Sequence, residues 1–158
     1  AHGNQPIQHA IYLYNWLEQP WKTQMRAREI MDKLYSSAPD GLCGDEDNGQ
    51  TSAWYVFSAI GFYPVTPGTG QYAIGSPLFK NVKLHLQNGN TFEIKAPNNS
   101  KENIYINAIY KNKSPYTKNY ITYKDIMSGS IFSTEMNSFP NRGIGTEQSS
   151  KPYSMSQD

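Results

Sequence analysis

The sequence predicts an α+β fold with helices first and an antiparallel sheet after them. Apolar residues recur at three- and four-residue steps up to Gly61 and alternate beyond it. Pro64, Pro67, Gly68 and Gly70 mark the change, and Asn88-Gly89 places a hairpin turn inside the alternating half. These signals divide the 158 residues into a helical segment, 1–61, an antiparallel β region, 62–145, and a flexible tail, 146–158.

The first helix is expected around Ile7, Ala10, Ile11, Tyr14 and Leu17, with Pro6 in its first turn and Asn4 or Gln5 as cap. A second should start near Pro20, present Trp21, Met25, Ile30, Met31 and Leu34 as one stripe, and stop in the run from Ser36 to Gly44. A third should run from Gln50 to Ile60, bury Ala53, Trp54, Phe57 and Ile60, and end on Gly61. Strands are predicted for 82–86 and 92–96 on either side of the Asn88-Gly89 turn, then for 104–110, 120–123 and 130–136. After Gly145 the chain is rich in Ser, Gln and Lys with few apolar anchors, so a loosely held tail is expected.

Composition excludes several classes. Lys and Arg number 14 against 13 Asp and Glu, a net charge of +1 that supplies no field for nucleic acid or an anionic membrane surface. No stretch reaches the roughly 20 apolar residues of a membrane helix, and the opening residues lack the pattern of a signal peptide. Cys43 is alone, so neither an internal disulfide nor a cysteine metal cluster is available. Twelve Tyr and three Trp suit both a core and stacking against sugar rings.

Chemistry concentrates in Gly41-Leu42-Cys43-Gly44-Asp45-Glu46-Asp47-Asn48-Gly49-Gln50, three consecutive carboxylates between glycines where the third helix opens. Like charges this close raise one another's pKa, while the helix start favours ionised forms. Such a loop fits a general base or a cation site, and it fits equally an acidic turn that merely caps the helix. Two short-looped antiparallel helices would return the chain to its starting end, bringing Gly3-Asn4-Gln5-Pro6 beside the loop. A rim there would combine the amides of Asn4 and Gln5, the imidazoles of His2 and His9 and the acids, a set that suits a polyol such as a sugar. Asn4 has an N-cap alternative and His9 a structural one. A helix-loop-helix calcium loop fails on register, since starting at Asp45 puts Gln50 where glycine belongs and Val56 where the bidentate acid belongs.

Several runs resemble one known family. They are Gly3-Asn4-Gln5-Pro6, Tyr12-Leu13-Tyr14-Asn15, Gln19-Pro20-Trp21-Lys22-Thr23-Gln24, Gly44-Asp45-Glu46-Asp47-Asn48-Gly49-Gln50 and Ser52-Ala53-Trp54-Tyr55-Val56-Phe57-Ser58-Ala59. Gly61-Phe62-Tyr63-Pro64-Val65 and Ile74-Gly75-Ser76-Pro77-Leu78-Phe79 extend the set. Together they resemble the C-terminal section of glycoside hydrolase family 92 α-mannosidases. The resemblance implies a longer enzyme, with this chain supplying the last helices of an (α/α)6 barrel and its terminal strands. It implies an inverting exo-α-mannosidase that uses a calcium ion on the sugar's vicinal hydroxyls. The general acid would be a glutamate from the missing N-terminal part of the same enzyme, and the base would be Asp47, with Asp45 as helper or alternate. Asn4, Gln5 and His9 would surround the sugar, and Asp47 is the candidate metal ligand. Many relatives carry Glu at Gln5, His at Gln8, Asn at Asp45 and Met at Thr51.

The implied partners are a mannose-terminated glycan and the rest of the enzyme, in a periplasmic or extracellular bacterial setting, with the isolated chain inactive. Helices taken from a closed barrel would leave an apolar side uncovered, so self-association or occlusion by the sheet is also expected. The competing reading is a non-catalytic sheet module that packs against a larger glycosidase or binds glycan.

Overall fold

The computed structural model describes residues 2–157 and has the predicted α+β order, with the helices preceding two sheets. Helix α1, Pro20–Leu34, begins on Pro20, whose missing N–H is no loss in a first turn, and ends where Tyr35 turns extended. Helix α2, Gln50–Ile60, stops at Gly61, which sits at φ 119°, a conformation a side chain would oppose.

The segment before α1 departs from expectation. It forms two short 3-10 turns, Gln5–Ile7 and Ala10–Asn15, in place of one amphipathic helix. Its inward residues are Gln8, Tyr12 and Asn15, while Ile7, Leu13 and Leu17 are exposed. Helix α1 likewise turns Thr23, Gln24, Ala27 and Met31 inward, and only Met31 of these belongs to the expected stripe. The physical reason is tertiary hydrogen bonding. Thr23 Oγ1 donates to Ile11 O at 2.9 Å and Gln24 Oε1 accepts from Ile106 N at 3.0 Å, so polar side chains turn inward to bond backbone groups of neighbouring elements. Helix α2 buries Trp54 as expected, but with Thr51, Ser58 and Ala59 beside it.

Strands β1 (Phe62–Tyr63), β2 (Gln71–Ile74) and β7 (Tyr120–Thr122) form a three-stranded antiparallel sheet. Strands β3 (Asn81–His85), β4 (Thr91–Lys95), β5 (Tyr105–Lys111), β6 (Ser114–Pro115) and β8 (Ile131–Asn137) form the second sheet, in the order β3-β4-β8-β5-β6. The β3–β4 hairpin turns at Asn88-Gly89 as expected, with Gly89 at φ 84°, and a three-residue loop between Leu86 and Asn90 sets the register that pairs His85 with Thr91. One pair, β4 with β8, is parallel, a long-range pairing that alternation does not reveal. A short helix α3, Tyr123–Met127, grows from β7 through a reciprocal cap in which Thr122 and Asp125 satisfy each other's backbone N–H.

Two cores result. Tyr12, Met31, Trp54, Ala59, Tyr63 and Ala73 pack together under the helices, while Phe62, Phe92, Ile94, Ile106, Ile109, Ile121, Phe132 and Met136 fill the space by the sheets. Polar clamps join them. Arg28 donates to Pro77 O (2.8 Å), Asn99 Oδ1 (2.7 Å) and Ser100 O (3.0 Å). Asn15 Nδ2 donates to Ile74 O at 2.8 Å and to Asn119 O at 3.3 Å, and Asn119 Nδ2 donates back to Asn15 O at 3.3 Å.

The tail expected to be loosely held is docked through its described residues. Asn119 N donates to Ser150 O at 2.7 Å, Trp16 Nε1 donates to Tyr153 O at 3.0 Å, and Tyr153 N donates to Gln71 Oε1 at 2.7 Å. Backbone groups make these contacts, which is why a polar composition conceals them.

Candidate functional site

The short turns at the start of the chain and the loop before α2 meet as expected. Gly3 and Gly44 lie backbone to backbone: a Cβ at Gly44 would collide with the Gly3 carbonyl, and one at Gly3 would fall 2.7 Å from Cys43 O. Asn4 and Asp45 are therefore each one residue from a close contact, and the amide-bearing entrance shares a rim with the acidic loop.

Within the loop the three acids divide their work. Glu46 Oε1 accepts from Ser52 N at 3.1 Å and Oε2 from Ser52 Oγ at 2.8 Å, so the Glu46 carboxylate caps the first turn of α2 at Ser52. Gly49, the residue at the cap position, contributes no side chain. Asp45 and Asp47 are exposed, and among the described residues no hydrogen bond or ion pair engages either carboxylate. The capping and the chemical readings of the loop thus apply to different acids. Asp47 and Asn48 are held in the left-handed region at φ 49° and 60°, and Gly49 follows at 87°. Three such residues in succession make a tight turn, and Asp, Asn and Gly are the residue types that adopt it most readily.

The other candidates are distributed unevenly. Asn4 is exposed at the cap position of the first turn but its side chain makes no cap bond, which removes the N-cap alternative. Gln5 is exposed beside it. His9 is half-buried ahead of the second turn, again without a side-chain cap bond. His2 does not face the rim: its ring packs 4.2 Å from Trp54, centroid to centroid, and Nε2 lies 3.0 Å from Tyr35 Oη. Burial lowers its pKa to about 4, so His2 is a neutral core group at physiological pH.

Beneath the rim lies a set of residues that sequence reasoning passed over. Gln8 Nε2 donates to Thr51 Oγ1 at 3.1 Å, Thr51 Oγ1 donates to Asp45 O at 2.8 Å, and Tyr35 Oη donates to Thr51 O at 3.3 Å. Trp54 Nε1 donates to Gln8 O at 2.9 Å. The advance signals were the departures from the family pattern at Gln8 and Thr51 and the expected burial of Trp54; the bonds that join them were not visible in the sequence.

A rim that combines carboxyl groups with neutral amides offers hydrogen-bonding partners that suit a polyol. Residues 1–138 match the family model described as "Glycosyl hydrolase family 92 catalytic domain". The chain belongs to glycoside hydrolase family 92.

Solved structures agree with that membership. A family GH92 inverting mannosidase from Bacteroides thetaiotaomicron is 55% identical with a TM-score of 0.94, the match covering 99% of this chain and 21% of that one. A family GH92 α-mannosidase from the same organism, in complex with mannoimidazole, is 42% identical with a TM-score of 0.94, over 98% of this chain and 20% of that one. An uncharacterized secreted glycosidase from Arthroderma benhamiae is 29% identical over 156 residues, which is 97% of this chain and 20% of that protein. The chain thus spans about a fifth of the length of these relatives.

Proposed function

We propose that this chain is the C-terminal portion of an inverting exo-α-mannosidase that removes terminal α-mannose from glycans, and that it carries the general base. The observation that supports this reading is the division of labour in the acidic loop: Glu46 is committed to α2, whereas the Asp45 and Asp47 carboxylates face outward on the rim shared with Asn4. In an inverting mechanism one carboxylate takes a proton from the attacking water while a carboxylic acid on the opposite face of the sugar protonates the leaving oxygen. The two sit roughly 6.5–9.5 Å apart to admit the water. Asp47 is the base in this proposal, Asp45 its helper or alternate, and Asn4, Gln5 and His9 hold sugar hydroxyls. The acid is a glutamate outside these residues.

The rim is open surface, so by itself the chain leaves the water unconfined and the leaving group without its proton. We therefore expect the isolated chain to be inactive and the remainder of the enzyme to close over it. Ile7, Leu13, Leu17 and Val56, exposed by 46%, 40%, 61% and 55%, give that remainder apolar surface to cover and would drive self-association of the chain alone.

The residues present do not fit a complete calcium site. Calcium takes about six to eight oxygens, and no group of three or more His, Cys, Asp or Glu side chains able to hold a metal comes together among the described residues. Calcium dependence is accordingly proposed for the longer enzyme, with Asp47 as this chain's candidate ligand. A periplasmic or extracellular location follows from the same reading, in keeping with the secreted relative.

The test is hydrolysis of an aryl α-mannoside by the full-length enzyme carrying Asp47→Ala. A loss of about a hundredfold or more in kcat is expected for removal of a general base, and near-normal turnover would remove Asp47 from the mechanism.

A second reading, a glycan-binding accessory module, has one observation in its favour. A groove of about 520 Å³ beside β5 is lined by Asn107, Tyr110, Tyr116 and Asn141. Calcium and mannose titrations of the intact enzyme separate the two, since binding lost only in groove variants supports the module.

A further inference from the structure

The geometry points to Thr51, braced by Gln8 and Tyr35, as a positioning residue that sets the acidic loop for water activation. This rests on the reading of the loop as the source of the base.

Thr51 is the second residue of α2 and is fully buried. Its N–H donates to Glu46 O at 3.2 Å and its hydroxyl to Asp45 O at 2.8 Å, so the two residues immediately before Asp47 both hang on it. A carbonyl oxygen has no proton to give. The single hydroxyl proton of Thr51 is therefore committed to Asp45, and the Gln8 amide must approach Oγ1 through its nitrogen. That direction leaves Gln8 Oε1 buried without a partner. Turning the amide over would set two oxygens against each other, so the Thr51 proton fixes the orientation of Gln8 as well.

The carbonyl side of Thr51 is gripped too. Tyr35 Oη donates to Thr51 O at 3.3 Å. Because that uses the phenol proton, His2 Nε2, 3.0 Å away, is the donor to Tyr35 Oη. Trp54 closes the set, stacked 5.7 Å from Tyr35 and bonded through Nε1 to Gln8 O. The strands of contact come from the entrance turns, the end of α1 and the first turns of α2, and all converge on one residue. Asp47, Asn48 and Gly49 are residue types that accept left-handed backbone, so what Thr51 adds is the placement of that turn against α2.

The experiment uses the full-length enzyme. Thr51→Val keeps the shape and removes the hydroxyl, while Thr51→Ser keeps the hydroxyl. Thr51→Val should lower kcat about tenfold or more, as expected when a reacting group drifts by a fraction of an ångström. KM should stay within about twofold, the signature of an interaction that matters in the transition state. Thr51→Ser should restore most of kcat, which a packing role would not require. Normal kcat in a folded Thr51→Val enzyme, equal losses in Val and Ser variants, or a change in KM alone would each overturn the inference. Should Thr51→Val fail to fold, Tyr35→Phe removes the grip on the Thr51 carbonyl together with the contact to His2, leaves the Thr51 hydroxyl in place and should lower kcat; an unchanged kcat there overturns the inference. Asp47→Ala runs in parallel. If it turns over normally the base assignment fails, whereas an inactive Asp47→Ala beside a normal Thr51→Val sinks the positioning role alone.

Discussion

The sheet core is lined by Phe92, Ile94, Ile106, Ile109, Ile121, Phe132 and Met136, whereas the helical core buries Gln8, Asn15, Thr23, Gln24, Thr51 and Ser58 among Tyr12, Met31 and Trp54. Apolar burial is non-directional and contributes roughly 25 cal/mol per Å², so this apolar cluster supplies stability with little demand on geometry, and the buried polar groups of the sheet half, such as Glu93, Asp125, Ser130 and Thr134, stand outside it. A buried hydrogen bond contributes only about 1 kcal/mol net, but leaving one unmade costs more. The helical half is therefore fixed in one arrangement more than it is strengthened. The functional loop hangs from the half whose core is specified by direction.

The largest test of this contrast is Phe92→Ala. The ring is fully buried, 6.2 Å from Phe62 and 5.8 Å from Phe132 between centroids. Truncation leaves a cavity costing about 3–5 kcal/mol, visible as a lower denaturant midpoint. If the two halves are as different as proposed, the acidic loop should be little affected while the protein remains folded.

Asn15→Ala should do the reverse, with a smaller loss and a local consequence. It removes the donations to Ile74 O and Asn119 O and costs about 1–3 kcal/mol. Because Asn15 Oδ1 is itself buried without a partner, part of the loss is offset and the lower end of that range is expected. Hydrogen exchange should rise at Ile74 and Asn119 before it rises in β4 and β8. Uniform exchange across both halves would contradict the contrast.

Acid should separate the halves as well. Burial lowers the His2 pKa from 6.5 to about 4, so the unfolded chain takes up a proton that the folded helical core resists. The contribution of neutral His2 is fully present above pH 6.5 and is lost as pH falls toward 4. In the sheet half, burial alone would raise the Asp125 pKa, but Lys111 and Thr122 outweigh it and the net shift is downward. Its stabilising contribution is complete above the unfolded carboxylate value and is lost only as pH falls through the still lower folded value. Trp54 fluorescence should therefore respond to acid before the sheet signal in circular dichroism does, and His2→Phe should abolish that lead. Coincident transitions would mean the two cores act as one unit.

Which parts of this were legible in the sequence follows the same division. Helices α1 and α2 and the β3–β4 hairpin were visible because Pro20, Gly61 and Asn88-Gly89 act locally on the backbone. The turns from Gln5 to Asn15 were misread because spacing analysis assumes that apolar residues are the buried ones, and here Gln8 and Asn15 are buried to make bonds with Thr51, Ile74 and Asn119. The parallel β4–β8 pairing joins segments some forty residues apart and leaves no periodic trace. The acidic loop announced itself through its charge density. What stayed hidden was that Glu46 alone would bond Ser52, since no cap residue precedes α2 to predict it.

The tail offers the smallest test. Lys151, with only 11% of its side chain exposed, meets Glu18 at 2.9 Å across the surface, while Glu18 is 60% exposed at a turn with φ 60°. An ion pair with one partner in water contributes under about 1 kcal/mol because solvent and salt screen it. The bonds from Asn119 N to Ser150 O and from Trp16 Nε1 to Tyr153 O are independent of that charge. Lys151→Ala should therefore leave the tail docked and its protease sensitivity near wild type, with a slight loss of stability that vanishes in high salt. Rapid clipping near Ser150 in this variant would show that charge, and not directed backbone bonding, holds the tail. The rule drawn from the helical core would then stop short of the segment that packs against its Asn15–Asn119 clamp.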